Sequence, residues 1–125
     1  MIEIGAADKL LVFQKAYPLA IDIHRLTQDF PRNEQYGGVA DQLRRSSKSV
    51  CANLVEGAGR QALGHRADFR RFVVIAMGSA DETRLWLRFA SDLGFLEQDQ
   101  AEALLRAYVE ISKMLSGLSA ALSKN

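Results

Sequence analysis

The chain has 125 residues, of which 48% are apolar and 25% charged, with a formal net charge of +1. This length predicts one domain, residues 1–125, and excludes a (β/α)₈ barrel or an enzyme with a separate cofactor domain. The composition is that of a folded chain, and the near-neutral charge gives no bulk attraction to nucleic acid. Both prolines precede Arg32, which favours long helices over the rest of the chain.

The single cysteine, Cys51, excludes an intramolecular disulfide and cysteine-rich zinc sites. One free thiol fits a reducing compartment. The N-terminal residues show neither a basic region nor an apolar segment of a signal peptide. The longest uncharged stretches, residues 72–80 and 114–123, are far shorter than the roughly 20 residues of a membrane span. We therefore expect a cytoplasmic protein that has no membrane partner.

The first predicted helix covers about residues 8–29, where apolar side chains recur every three or four positions on two faces. Asp8 is suited to cap its N-terminus. Pro18 lies inside this helix and predicts a kink, because it removes one backbone hydrogen bond. Pro31 predicts the end of the helix, because it restricts the backbone of Phe30.

Three more helices follow, at about residues 36–56, 65–93 and 98–122. Residues 57–64 contain three glycines and predict a break after the second helix. Gly78 inside the third costs about 1 kcal/mol relative to alanine, which a close helix crossing or a bulky partner would explain. Gly94 predicts the C-terminus of this helix. Short connections between the helices predict an all-α, antiparallel up-and-down four-helix bundle.

Basic residues are concentrated in one part of the chain. Between Val39 and Arg71, seven basic and three acidic residues give +4, which leaves −3 for the remainder. Two pairs of like charge on this segment are four residues apart, an arrangement that a phosphate or an acidic neighbouring subunit would relieve. The candidate nucleic-acid-binding residues are Arg44, Arg45, Lys48, Arg60, Arg66, Arg70 and Arg71.

The sequence contains partial matches to catalytic and cofactor-binding motifs, but the residues or elements that each motif requires around it are missing. Neither His24 nor His65 has a glutamate three residues earlier, as a di-iron bundle requires. Residues 57–62 match the letters of a dinucleotide fingerprint but follow a helix, and residues 59–64 lack the lysine and hydroxyl of a P-loop. Cys51 is expected to be a small packed residue. We therefore predict no catalytic residues, no metal and no cofactor.

The segment from Asp41 to Arg60, DQLRRSSKSVCANLVEGAGR, resembles the signature of four-helix bundle proteins related to the 23S rRNA intervening-sequence protein, roughly D-Q-L-R-R-A-x-x-S-V-x-x-N-I-x-E-G. The resemblance extends to residues 12–16, to Phe30-Pro31 with its following loop, to residues 75–82 and to residues 110–115. Gly38, Ser46 and Cys51 stand where leucine, alanine and proline are usual.

This resemblance implies an up-and-down bundle and a homo-oligomer, with a ring of five known in relatives. The family includes the accessory variability determinant of diversity-generating retroelements, which forms such a ring, binds nucleic acid through a basic surface and partners a reverse transcriptase. Other members have no settled activity, and none supplies a catalytic mechanism. The motif residues Asn53, Glu56 and Glu82, with Arg60, are then interpreted as a structural polar network near the glycine break. The alternative interpretation is that Glu56 and Glu82 act as a pair of catalytic acid and base.

The apolar surface of the first and third helices exceeds what a lone bundle buries, which indicates a protein interface. One hypothesis is a non-enzymatic homo-oligomer that binds RNA or DNA through its basic surface, and the resemblance implies that this oligomer is a pentamer. The alternative is a scaffold that docks a protein partner, such as a reverse transcriptase, without nucleic acid. An enzyme is the third hypothesis, and it would require a polar pocket with convergent ionisable groups.

Overall fold

The computed structural model describes residues 2–124, and within that range the chain is helical without a strand. Two short 3₁₀ turns accompany the helices, one before α1 and one before α2. No helix in the described range is long and apolar enough to cross a membrane. The elements are the 3₁₀ turn Ala6–Lys9, α1 Leu11–Thr27, the 3₁₀ turn Arg32–Glu34, α2 Val39–Ala62, α3 Arg66–Asp92 and α4 Gln98–Leu122.

Each helix packs against its neighbours in chain order, and α4 closes the arrangement on α1. The pairs run antiparallel, since the middle of α3 contacts the first half of α2 while the start of α3 lies against the end of α2. The predicted antiparallel up-and-down four-helix bundle is confirmed. Tyr108, Phe69, Ile23 and Leu43 are wholly buried at its centre, because the apolar positions of every helix face the same axis.

Hydroxyl groups lie inside the contact between α2 and α3. Thr83 donates from Oγ1 to Ser46 Oγ at 2.8 Å, and the Oγ atoms of Ser49 and Ser79 are also 2.8 Å apart. Small side chains allow the two backbones to approach, and each buried hydroxyl gains the partner that burial requires. This makes α2 and α3 the most closely packed pair of the bundle.

The start of α1 corrects the prediction for Asp8. The α-helix begins at Leu11, and Asp8 belongs to the preceding 3₁₀ turn. Its Oδ2 accepts hydrogen bonds from the backbone N–H groups of Ile4 and Gly5, at 2.7 and 3.0 Å. These amides, Gly5 first, lower the pKa of the Asp8 carboxyl by stabilising its charged form. Asp8 therefore caps the turn and not the long helix, while Pro18 lies inside α1 as predicted.

The end of α2 corrects the predicted glycine break. The helix continues through Gly57 and Gly59 to Ala62, six residues beyond the predicted end at Glu56. A Cβ atom at Gly57 would lie 2.8 Å from Phe69 Cδ1 and 3.0 Å from Phe72 Cβ, so this glycine lets α3 cross closely. The chain turns only at Gly64, whose φ of +84° is the left-handed conformation that commonly ends helices.

Candidate nucleic-acid interface

The antiparallel helices give the bundle two ends of opposite charge. Cutting each helix at its midpoint assigns residues 2–19, 51–79 and 111–124 to one half, with eight basic and four acidic residues. The other half, residues 20–50 and 80–110, has eight basic and eleven acidic residues. The net charges are therefore +4 and −3, and we call these the basic half and the acidic half.

The seven predicted nucleic-acid-binding residues divide between these halves. Four of them lie in the basic half, around the connection from α2 to α3. The other three lie on the first half of α2, near the opposite end of the bundle. The basic-half residues are Arg60, Arg66, Arg70 and Arg71, and the others are Arg44, Arg45 and Lys48. The fold therefore does not unite the seven residues into one patch.

Arg66 and Arg70 donate hydrogen bonds to the backbone carbonyls at the C-terminus of α4. Arg66 donates from Nε to Leu122 O at 3.2 Å and from Nη2 to Ala121 O at 2.7 Å, and Arg70 donates from Nε to Ser119 O at 3.2 Å. The last carbonyls of a helix lack partners within the helix and carry the negative end of its dipole. Two guanidinium groups on α3 satisfy them, which gives these arginines a structural role.

Arg60 of α2 and Arg71 of α3 both contact the ring of the half-buried Phe72. The Cζ atoms of Arg60 and Arg71 are 5.3 and 4.7 Å from the ring centroid, within the range of cation–π contacts. Their ion pairs are long, at 3.5 Å from Arg60 to Glu56 and 3.9 Å from Arg71 to Asp68. The ring holds two guanidinium groups of different helices close together while their charge stays weakly paired.

Phe72 is the residue of this site that sequence reasoning missed. Its helical spacing from Phe69 and Val73 predicts a core position on the third helix, whereas the structure leaves it half-buried at the edge of the core. Arg71 follows directly from the sequence as its neighbour. Arg60 comes from α2, so only the antiparallel pairing of α2 with α3 brings it to the ring. The only sequence signal for the contact of two arginines with Phe72 is a basic residue at the end of the second helix and another near the start of the third.

Arg44 and Arg45 have different surroundings although they are adjacent. Arg44 is partly buried and donates to Thr27 Oγ1, Gln35 Oε1 and the Gln35 carbonyl, at 3.1, 3.0 and 2.9 Å. Arg45 is exposed and pairs with Asp41 at 3.1 Å, one turn away. The backbone amide of Gly37 is the main cause that lowers the pKa of the Asp41 carboxyl, and Arg45 adds to it. Through its three hydrogen bonds, Arg44 stabilises the connection between α1 and α2, whereas Arg45 has only its surface ion pair.

Of the expected network of Asn53, Glu56 and Glu82 with Arg60, the Glu56–Arg60 pair is present among residues 2–124, and Asn53 and Glu82 have other partners. Asn53 Nδ2 donates to the Ser49 carbonyl and Oγ, at 2.8 and 3.1 Å. Glu56 pairs with Arg60 on its own helix, and Glu82 accepts from Trp86 Nε1 at 3.5 Å. Within residues 2–124, no hydrogen bond joins the three.

A shallow groove separates α1 from α2 in the middle of the bundle, with a volume of about 350 Å³. Its lining is almost entirely apolar. The lining residues are Tyr17, Ala20, Ile21, His24, Lys48 and Cys51. Within the described part of the chain, no cluster of three His, Cys, Asp or Glu side chains is placed to hold a metal ion.

Burial raises the pKa of the Cys51 thiol to about 11, because the apolar surroundings disfavour the thiolate. The neutral thiol therefore stabilises the fold below the pKa of the unfolded chain, and this contribution is lost as pH rises towards about 11. We expect iodoacetamide at pH 9 to alkylate Cys51 at least about tenfold more slowly in the folded protein than in urea. Equal rates would contradict this and indicate an accessible, reactive thiol.

Taken together, the helices and the basic half define a small up-and-down four-helix bundle with an arginine-rich end. The model of the family described as 23S rRNA-intervening sequence protein matches residues 8–117, so the chain belongs to that family. A comparison with curated proteins gave no significant match. Among solved structures, the chain resembles a protein of unknown function from the S23 ribosomal protein family of Bacteroides thetaiotaomicron. The two are 27% identical, with a TM-score of 0.78 over 88% of this chain and 96% of the other.

Proposed function

We propose that this protein is a non-enzymatic homo-oligomer, a pentamer, that binds RNA or DNA through the basic half of each bundle. The observation that carries this proposal is the contact of Arg60 and Arg71 with the ring of Phe72. Guanidinium groups bind phosphate oxygens through two parallel N–H donors. Two of them fixed on one ring form a preorganised phosphate contact beside an apolar surface. The single cysteine fits the reducing cytoplasm in which we place the protein.

Oligomerisation compensates for the modest charge of one chain. A protomer with a net charge of +1 is a weak ligand for a polyanion, and the acidic half reduces the attraction further. Several basic halves in one particle bind the same strand with a raised effective concentration. Arg66 and Arg70 add to the positive potential of each site while they cap α4. Direct phosphate contacts are thereby assigned to Arg60 and Arg71.

Nucleic-acid binding is tested by fluorescence anisotropy with a labelled single-stranded RNA and a DNA duplex at several salt concentrations. We expect the double variant R60Q/R71Q to bind more weakly than the wild type. Its salt dependence for the single strand should fall by about 1.4 in logarithmic slope, since each phosphate contact on a single strand contributes about 0.7. The matched control is R84Q/R88Q, which also removes two arginines. Both belong to the part of α3 that lies in the acidic half.

The two variants separate a local site from a general charge effect. An equal loss of affinity in both variants would mean that net charge alone drives binding. Unchanged affinity in R60Q/R71Q would show that Arg60 and Arg71, beside Phe72, do not contact the nucleic acid. Absence of binding by the wild type at low salt would overturn the nucleic-acid role altogether.

A protein-binding scaffold without nucleic acid is the second candidate. The observation in its favour is that most of the predicted basic residues have partners within the chain, Arg44 in three hydrogen bonds and Arg66 in two. Such a scaffold would dock a partner such as a reverse transcriptase on the assembled particle. Recovery of one stoichiometric protein that nuclease treatment does not release would favour this candidate.

A further inference from the structure

The solvent side of α3 carries apolar side chains that no other part of residues 2–124 covers. Its apolar side chains recur at helical spacing over five turns, and each is 44–54% exposed. Trp86 lies at its edge and packs on Phe89, with ring centroids 5.4 Å apart. We call this surface the α3 outer face, formed by Val74, Ile75, Gly78, Leu85, Phe89 and Leu93. Several large apolar side chains exposed along one side of a helix indicate a contact site for another molecule.

Gly78 lies in the middle of the α3 outer face and has no packing role within its own chain. A Cβ atom built at this glycine meets nothing within 4 Å. Glycine in an exposed helix interior costs about 1 kcal/mol relative to alanine. Of the two explanations that the sequence left open, a close crossing is therefore absent among residues 2–124, and a partner outside the chain remains. Because Gly78 has no side chain, the backbone of another molecule has space to approach α3 there.

The α1–α2 groove is the complementary surface on the same molecule. It is concave and apolar, with Tyr17 and Ile21 of α1 on one side and Cys51 of α2 on the other. Lys48 lies at its rim, is exposed, and has no salt bridge within the described chain. The α3 outer face is convex and carries the exposed carboxylate of Glu82 at its centre. Both surfaces are therefore largely apolar, and their exposed charges at Lys48 and Glu82 are opposite.

We propose that the α3 outer face of one copy docks into the α1–α2 groove of a second copy, with Glu82 beside Lys48. Contact between two α3 outer faces would instead place two Glu82 carboxylates close together, which is unfavourable. The interface is therefore formed from two different surfaces, and repetition of such a contact produces a ring when the rotation closes. This inference rests on the homo-oligomer of the proposed function and specifies its contact.

The inference is tested by measuring native mass by light scattering for E82K, K48E and the double variant E82K/K48E. We expect each single variant to shift the particle towards monomer, since it places like charges at the contact. The double variant restores the opposite pair and should recover the wild-type mass. The controls are E102K and K113E, which reverse exposed charges on α4 outside both surfaces and should leave the mass unchanged.

A second variant, G78Q, gives a readout that misfolding cannot imitate. Its melting temperature should exceed that of the wild type at a protomer concentration at which both are dissociated, because glutamine favours a helix more than glycine does. At higher concentration it should still lower the native mass by filling the space at the contact. A monomeric wild type would overturn the oligomer of the proposed function. An oligomeric wild type whose mass is unchanged in E82K, K48E and G78Q would overturn this interface alone, as would a double variant that stays monomeric.

Discussion

Replacement of Gly57 by valine is expected to destabilise the bundle by about 3 kcal/mol, the upper part of the usual range for an overfilled core. Even a Cβ atom at this position would lie 2.8 Å from Phe69 Cδ1, 3.0 Å from Phe72 Cβ and 3.3 Å from the Phe69 carbonyl oxygen. Phe69 is 1% exposed and has no space into which to move. The added methyl groups therefore force α2 and α3 apart.

The matched control is Gly59→Val, two residues further along the same helix. A Cβ atom at Gly59 meets nothing within 4 Å, and the position is exposed. The stability should change by no more than about 0.5 kcal/mol, since valine favours a helix slightly more than glycine. Urea unfolding at equal protomer concentration measures both variants. Similar midpoints for the two would contradict a close crossing at Gly57.

These two glycines show where sequence patterns predict the fold and where they fail. The spacing of apolar residues predicts α4 at 98–122, as observed, and α3 to within one residue at each end. Both helices end at positions that local chemistry controls, with Gly94 at a φ of +79° after α3. The end of α2 depends on packing instead. Gly57 was interpreted as a break because its function, contact with Phe69, lies on another helix.

The candidate site was predictable only in part for the same reason. The sequence identifies the arginines, but the partners that decide the role of each one come from distant residues. Arg66 reaches carbonyls 55 and 56 residues further along the chain, and Arg44 reaches Thr27 across 17 residues. Residue type indicates affinity for phosphate, whereas the tertiary contacts decide which guanidinium groups are already engaged.

Charge distribution illustrates the difference between sequence and space. The segment 39–71 carries +4, and the basic half of the bundle also carries +4, but the residues are not the same. Folding moves Arg44, Arg45 and Lys48 to the acidic half and brings in lysines from α4 and from the N-terminal region. The sequence therefore predicted the presence of a basic surface, and the antiparallel arrangement determines its location.

Arg44→Ala is the second change with a large expected effect, a loss of about 3 kcal/mol in the free energy of unfolding. Arg44 makes three hydrogen bonds from a charged donor, and a hydrogen bond of this kind contributes about 1.5–3 kcal/mol net. The three contributions do not simply add, because they come from one partly exposed side chain. Its removal leaves Gln35 Oε1 and the Gln35 carbonyl without their donor inside the connection between α1 and α2. Because Thr27 is wholly buried, water does not replace the lost donor there.

Arg45→Ala is the control for this prediction, because it removes the same charge from the neighbouring residue. The Arg45 side chain is 73% exposed, and surface ion pairs such as that with Asp41 contribute about 1 kcal/mol or less. Urea unfolding should therefore separate the two variants by about 2 kcal/mol, while folded Arg44→Ala keeps the RNA affinity of Arg45→Ala. If Arg44→Ala instead unfolds like Arg45→Ala and loses RNA binding, Arg44 is a phosphate contact and not a structural residue.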